Sequence, residues 1–198
     1  SRGIGREFVR SLAQAGARLT LVASRISEAL RICEQEVRAL ALPGHVLTIP
    51  IDVRDAYACE RAVRATVEEF GRIDALVNNA GVVVIATPET CTLEQFRFQN
   101  QVMSEGVFLG CRSSIPAIRA SGGGSIINMS SMASHLGYPV YFAYSAAKGA
   151  VRAMTRANRS LRRVPHTVSG DDPTPPVAFR WGTRSSGVGL LVRPPWRA

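Results

Sequence analysis

The chain almost lacks lysine: 23 of its 24 basic side chains are arginine, and Lys148 is the exception. A composition that avoids lysine but keeps it at one position suggests a chemical need for an ammonium group there. The chain also lacks any run of about 18 consecutive apolar residues, the length that a membrane-spanning helix needs. No charged-then-apolar leader is recognisable either. We therefore expect a soluble, cytoplasmic protein with no membrane partner.

Cysteine and histidine are sparse as well. The four cysteines have neither the pairing nor the spacing of a disulfide framework or a metal site, which favours free thiols in a reducing compartment. The three histidines share no ligand spacing, so we predict no metal site. These residues are Cys33, Cys59, Cys91, Cys111, His45, His135 and His166.

The net charge of +9 is unevenly distributed along the chain. The last 41 residues hold seven basic and two acidic side chains, which is more than half of the excess. A nucleic-acid-binding protein would place basic residues along one groove-sized helix or interleave them with aromatics. Here the charges before residue 158 are spread over several predicted helix faces. We therefore predict a solvated surface and no nucleic-acid partner.

The order of apolar patterns predicts an α/β fold. A chain of 198 residues with 46 % apolar residues can bury one sizeable core, so a single domain is expected. Short β-branched runs alternate with segments of helical period, which indicates a doubly wound parallel sheet with right-handed crossovers. The predicted strands are 19–23, 46–51, 75–77 and 125–129. The predicted helices are 5–15, 26–40, 55–70, 92–119 (with Pro116 expected to bend or end it) and 141–157.

The segment 158–198 departs from this rhythm. It contains six prolines, seven arginines and two tryptophans without a helical period. Val177–Trp181 and Val188–Val192 have the composition of short strands, but no strand–helix–strand pattern connects them. We therefore divide the chain into an α/β domain at 1–157 and an Arg/Pro/Gly-rich tail at 158–198, which we predict to be poorly ordered or an appended sequence.

Four short motifs carry residues suited to chemistry. Gly3 and Gly5 open a helix, where free N–H groups and the helix dipole favour a phosphate group. Asn78-Asn79-Ala80-Gly81 follows a predicted strand, and Ser130-Ser131 follows another. Tyr144 precedes Lys148 by four residues, which places both side chains on one face of a helix.

Taken together, these motifs resemble those of the classical short-chain dehydrogenases/reductases. Arg2-Gly3-Ile4-Gly5, Asp52-Val53, Asn78-Asn79-Ala80-Gly81, Ser131 and Tyr144-x-x-x-Lys148 occur in that family's order and spacing, over residues 1 to about 157. The resemblance implies a Rossmann fold and an oxidoreductase that moves a hydride between NAD(P)(H) and a small-molecule carbonyl or secondary alcohol. It further implies a homodimer or homotetramer for a full-length relative.

The resemblance also implies the roles of the catalytic residues. Tyr144 would exchange a proton with the substrate oxygen, Ser131 would hydrogen-bond that oxygen, and Lys148 would favour the phenolate and bind the nicotinamide ribose. The family's further catalytic residue, an asparagine on the long helix, has Met103 at the matching position. Asn100 lies three residues earlier, so either the proton relay is altered or the helix shifts locally.

Cofactor preference depends on the end of the second strand of the resembled fold. An acid there favours NAD and a cation favours NADP. The matching position is Ala23, followed by Ser24 and Arg25, and Arg2 is a second possible partner for the 2′-phosphate. We therefore expect NADP, with NAD left open. The expected cofactor-binding residues are Ser1, Arg2, Gly3, Ile4, Gly5, Ser24, Arg25, Asp52, Val53, Asn79, Ala80, Gly81, Tyr144 and Lys148.

The sequence also resembles an incomplete member of the family. No strand precedes Ser1, and no Pro-Gly follows residue 157, where the family has further strands and a substrate lid. The missing first strand would leave the edges of strands 19–23 and 75–77 unpaired. This predicts weak or absent cofactor binding by the chain. The alternative to an active oxidoreductase is therefore a truncated, inactive relative that serves as a binding or association module.

Overall fold

Five strands form one sheet in the computed structural model, which describes residues 3–40, 43–160 and 189–193. The strand order is β2-β1-β5-β3-β4, with β1 parallel to β2 and β3 parallel to β4. The register pairs Leu19 with Val46 and Ala75 with Ser125. The strands are β1 Arg18–Ala23, β2 Val46–Pro50, β3 Ala75–Asn78, β4 Ser125–Asn128 and β5 Gly189–Arg193.

In the described part of the chain, six α-helices connect or flank these strands, and two of them have clear end caps. The Asp55 carboxylate accepts hydrogen bonds from two N–H groups at the start of α3, and Gly71 ends that helix in the left-handed conformation, with φ of 79°. Thr92 and Gln95 form a capping box on α4. The helices are α1 Gly3–Gln14, α2 Glu28–Leu40, α3 Ala56–Phe70, α4 Leu93–Asn100, α5 Gly106–Ala120 and α6 Phe142–Ser160.

Both faces of the sheet are covered, which confirms the predicted doubly wound α/β fold. Successive strand residues point to opposite faces, so Leu19 and Leu21 join the apolar side chains of α1 and α2. Val22 packs with α3, and Leu76 with α5 and α6. No helix in the described part of the chain is long and apolar enough to cross a lipid bilayer.

The centre of the sheet differs from the prediction. We expected the facing edges of β1 and β3 to remain unpaired, but β5 lies between them and is antiparallel to both. Its backbone pairs Leu191 with Thr20 on one side and with Leu76 on the other. The expectation of two open edges is therefore wrong, because a segment from the predicted tail supplies the missing backbone partners.

The long helix predicted over 92–119 is also interrupted at an unexpected place. Helix α5 continues through Pro116 to Ala120, so the helix does not end at this proline. Pro116 and Arg112, whose carbonyl loses its helical donor, both lie on the exposed face, where water can replace that bond. The interruption is instead a π-helical turn at Gln101–Glu105, in which the Gly106 N–H bonds to the Gln101 carbonyl.

Part of the sequence-based prediction falls on residues outside this description. Ser1, Arg2, the possible strand Val177–Trp181 and most of the predicted tail lie there. Helix α6 extends to Ser160, three residues past the predicted domain boundary. The division into 1–157 and 158–198 stays a prediction.

Candidate active site

The carboxyl ends of the four parallel strands meet at one edge of the sheet. Since β5 is antiparallel to both β1 and β3, these two strands run in the same direction, and β2 and β4 follow them. The loops that leave β3 and β4 stay side by side, because the Met129 N–H donates to the Asn78 carbonyl at 3.0 Å. The Asn78 amide also donates to the Asn128 side chain at 2.8 Å. The ends of β3 and β4 and the loops that follow them are therefore held together by hydrogen bonds.

Lys148 on α6 contacts the loop after β4. Its side chain is buried, with 5 % of the residue exposed, and its Nζ donates to the Met129 carbonyl at 2.6 Å. Burial lowers the pKa of the Lys148 ammonium group to about 8. The Ser130 hydroxyl donates to the Lys148 backbone carbonyl at 3.1 Å, which ties α6 to the loop after β4. The single lysine of the chain is therefore a buried, fixed cation near neutral pH.

Tyr144 and Ser131 lie beside this cation. Lys148 Nζ is 5.8 Å from the centroid of the Tyr144 ring, and this ring contacts Tyr141 edge-on with 5.9 Å between centroids. The Ser131 hydroxyl oxygen accepts a hydrogen bond from the Ala133 N–H at 3.2 Å, so its own proton is free for another acceptor. The arrangement thus combines a phenol, a hydroxyl donor and an ammonium group, which suits proton exchange with one oxygen atom.

Met103 lies next to this lysine, at the position where the resemblance implies an asparagine. A Cβ atom added to Gly81 would lie 3.7 Å from Met103 Sδ and 3.8 Å from Lys148 Nζ, so all three groups adjoin. Asn100 does not take over this place. Its amide donates to the Phe96 carbonyl at 2.9 Å, and its oxygen accepts from Ser104 at 3.2 Å. The helix does shift locally at the π-helical turn, yet the buried group beside Lys148 is a thioether.

The sequence analysis did not identify Gln99, which holds the loop after β3 in place. Its side chain is fully buried on α4, and its oxygen accepts a hydrogen bond from the Val84 N–H at 3.0 Å. A second hydrogen bond holds the same loop, because the Ala86 N–H donates to the Val140 carbonyl at 2.9 Å. No local pattern could have revealed Gln99, because its partner is a backbone group in a segment without regular structure.

The start of α1 lies against the same sheet and supplies backbone donors. Gly3 has φ of 57°, a conformation that favours glycine, and Gly5 is buried. Ile4 lies between them in the first turn, where the N–H groups lack helical acceptors. Arg6 forms a salt bridge with Glu36 of α2, which fastens this helix end. Gly3 therefore begins the helix at an exposed position, and Gly5 packs into the interior.

The end of β1 carries the residues predicted to select the cofactor. Ser24 and Arg25 follow the strand directly and are exposed. Among the described residues Arg25 has no ion-pair partner, so its guanidinium group is available to an external anion. No acidic side chain occurs from Ala23 to Ser27.

Asp52 and Val53 follow β2 but remain apart from the catalytic set. The Asp52 carboxylate pairs with Arg54 at 2.5 Å, and this partner holds the pKa of Asp52 below its usual range. The Arg54 guanidinium group in turn lies 5.5 Å from the centroid of the Phe98 ring. Val53 packs against the π-helical turn, where a Cβ atom on Gly106 would come within 3.1 Å of it. Within the described part of the chain, neither residue contacts Ser131, Tyr144 or Lys148.

The structure thus groups the predicted residues into three sets. Lys148, which adjoins Gly81, forms the first set with Tyr144 beside it and Ser131 after β4, while the start of α1 and the end of β1 form the other two. N–H donors, one free guanidinium group and one buried ammonium group at a common edge suit a ligand with several phosphates, so these residues fit a dinucleotide. Asn79 and Ala80 line this edge next to Gly81 and are partly buried.

Comparisons with known proteins point in the same direction. The model of the short chain dehydrogenase family matches residues 1–163. A trans-4-hydroxycyclohexanecarboxylate dehydrogenase from Sinomonas cyclohexanicum is 34% identical over 80% of the chain and 62% of that enzyme. An NADP-dependent (R)-specific alcohol dehydrogenase from Lentilactobacillus kefiri is 31% identical over 78% of the chain and 60% of that enzyme.

A solved structure shows the same likeness in three dimensions. The crystal structure of a short chain dehydrogenase from Bacillus anthracis str. 'Ames Ancestor' superposes with a TM-score of 0.76 at 28% identity. The match covers 80% of this chain and 65% of that one. The chain spans about three fifths of the length of the two curated relatives.

Proposed function

Because the chain belongs to the short-chain dehydrogenase family, we propose that the protein it represents is an oxidoreductase acting on a carbonyl or secondary alcohol with NAD(P)(H). The observation that carries this proposal is the grouping of Tyr144, Ser131 and a buried Lys148 at the edge where β3 and β4 end. These are an acid, a hydrogen-bond donor and a cation, the groups that a reacting carbonyl oxygen requires.

The proton step is assigned to Tyr144. In reduction its hydroxyl donates a proton to the substrate oxygen, and in oxidation the phenolate removes that proton. Ser131 donates its free hydroxyl proton to the same oxygen while negative charge develops there. Lys148, held on the Met129 carbonyl, stabilises the phenolate electrostatically because it is charged below pH 8 and shielded from water.

The cofactor site is assigned to the edge that the three residue sets share. The N–H groups at the start of α1 would hold the pyrophosphate, and Lys148 and the loop 79–81 would hold the nicotinamide end. The chemistry that a nicotinamide supplies when bound is hydride transfer. Asp52 and Val53 are proposed for the adenine end, together with Ser1 and Arg2, which lie outside the described residues.

A Tyr144→Phe variant tests the proposed function. We expect turnover of a carbonyl panel, followed through NADPH and NADH absorbance, to fall at least about 100-fold. The binding affinity for NADPH should stay within about threefold, because only the proton-transferring hydroxyl is lost. Tyr57→Phe, which changes an exposed tyrosine on α3, is the matched control and should behave like the wild type. A Tyr144→Phe variant with turnover within about tenfold of the wild type would refute the assignment.

We further propose that the cofactor is NADP. Arg25 at the end of β1 is exposed and has no ion-pair partner within residues 3–40, 43–160 and 189–193, so it can pair with a 2′-phosphate, and no acid from Ala23 to Ser27 repels that group. Titration of the chain by calorimetry should show tighter binding of NADPH than of NADH, and Arg25→Ala should reduce this preference by about tenfold. Arg119→Ala, at the end of α5, should leave the preference unchanged. Equal affinities in the wild type would mean that Arg25 does not contact the cofactor.

The proposal also covers assembly and compartment. Phe108 on α5 and Leu93 on α4 are large apolar side chains that remain exposed, and we propose that such helix surfaces join copies of the complete protein into a dimer or tetramer. Light scattering on a size-exclusion column measures this directly, and a monomer would contradict it. The four free cysteines accord with a cytoplasmic location.

A further inference from the structure

An exposed apolar face surrounds the proposed catalytic residues. It is formed by the loop after β3 and the segment between β4 and α6, which are joined by the hydrogen bond from Ala86 to Val140 and by a bridge between Ala86 and Tyr141. Six of the fourteen large apolar side chains that stay exposed in the described part of the chain lie in these two segments. We define the apolar face by Val83, Ile85, Met132, Leu136, Tyr138 and Val140.

This face adjoins the reacting groups directly. Met132 follows Ser131 in the chain, and the ring of Tyr138 contacts Tyr141 at 6.0 Å between centroids. Tyr141 in turn contacts Tyr144 at 5.9 Å. An oxygen atom held between the hydroxyl groups of Ser131 and Tyr144 therefore carries its carbon skeleton against these side chains.

The two segments contain no charged residue. No aspartate, glutamate, lysine or arginine occurs from Ala75 to Pro88 or from Ala120 to Ala147, although the chain as a whole is 20% charged. His135 is the single histidine in these stretches. Lys148 follows the second stretch, but its Nζ is buried against the Met129 carbonyl and faces the loop 79–81. These two segments therefore offer a substrate apolar contacts and hydroxyl groups, but no arginine or lysine side chain for an anionic group.

We infer that the apolar face receives the carbon skeleton of a neutral, apolar ketone or secondary alcohol and disfavours substrates with a carboxylate or phosphate near the reacting carbon. This inference rests on the proposed function. Its physical reason is that an anion on this surface loses water without gaining a partner, whereas an apolar group gains from leaving water. Ile85, the most exposed member at 68 %, is the specificity-determining residue that is easiest to change.

A matched pair of ketones tests the inference. 4-Methylcyclohexanone and 4-oxocyclohexanecarboxylate present the same ring and carbonyl and differ in a methyl group against a carboxylate. With the 198-residue chain and NADPH or NADH, we expect kcat/KM for the neutral ketone to be at least about tenfold higher. Equal values or a preference for the anion would overturn the inference and leave the oxidoreductase function in place. Absence of turnover with both ketones would overturn the proposed function, and the inference with it.

An Ile85→Arg variant adds a second, independent readout. The new cation should raise kcat/KM for the anionic ketone relative to the neutral one by about tenfold, with an unchanged melting temperature. Ile32→Arg on α2, where the isoleucine is 41% exposed, is the matched control and should leave the ratio unchanged. If another part of the chain covers the face, Ile85→Arg will lower the melting temperature and leave the substrate ratio as it was. That result would overturn the inference.

Discussion

Lys148 is expected to destabilise the folded chain in its charged form, so its removal should increase stability. Burial lowers the pKa of this residue from 10.5 to about 8. That difference corresponds to about 3 kcal/mol by which folding disfavours the charged form, and the full penalty applies below pH 8. Lys148→Met removes the penalty and also loses the hydrogen bond to Met129, worth about 1 kcal/mol. We therefore expect a net gain of about 2 kcal/mol in the free energy of unfolding at pH 7.

The pH dependence supplies the sharper test. Between pH 8 and 10.5 the unfolded wild type binds more protons than the folded form, so its free energy of unfolding rises with pH. The advantage of Lys148→Met should accordingly have largely vanished at pH 9.5. Urea denaturation followed by circular dichroism at both pH values measures this. Arg112→Met, an exposed site on α5, is the control and should change stability by less than about 0.5 kcal/mol. A variant less stable than the wild type at pH 7, or equally favoured at both pH values, would refute the reasoning.

Three further perturbations have clear expected outcomes. Gly110→Ala should cost about 2 kcal/mol in urea denaturation, because its Cβ would overlap the Asn78 side chain. Gly149→Ala, with open space around it, should instead stabilise by about 0.5 kcal/mol, and equal effects would contradict this packing. Met103→Asn places an amide near Lys148 and should raise kcat by about tenfold, and an unchanged kcat would argue against a missing relay group. A thiol reagent at pH 8 should label Cys91 first, since the other three cysteines are buried, and rapid labelling of more than one thiol would show otherwise.

The sequence predicted the elements whose signals are local. Helix α3 is an example: Asp55 precedes it, Gly71 follows it, and apolar residues recur between them at helical spacing. The Tyr144–Lys148 pair was predictable for the same reason, since four residues along one helix bring side chains together in any context. The parallel sheet followed from the alternation of such elements, and four of its five strands were predicted within one or two residues of their ends.

The features that escaped prediction depend on partners far away in the chain. Strand β5 pairs with residues more than 100 positions earlier, and its composition alone did not indicate where it would lie. Gln99 is fixed by a backbone N–H group that no periodicity reveals. The π-helical turn leaves the apolar pattern of the helix nearly intact. Pro116 lies at an exposed position, where water replaces the lost helical hydrogen bond at a small cost in free energy.

The central position of β5 has a consequence for how the chain acquires its structure during synthesis. The pair β1–β2 and the pair β3–β4 have no strand pairing with each other and are joined through residues 189–193. Each pair can form as soon as it leaves the ribosome, but the two halves can become one continuous sheet only after residue 193 has been translated and has emerged. Contacts across such a long sequence separation form slowly, and the apolar edges of β1 and β3 stay exposed during the delay. In this arrangement the nascent chain has its greatest need for a chaperone in the interval before residues 189–193 have emerged.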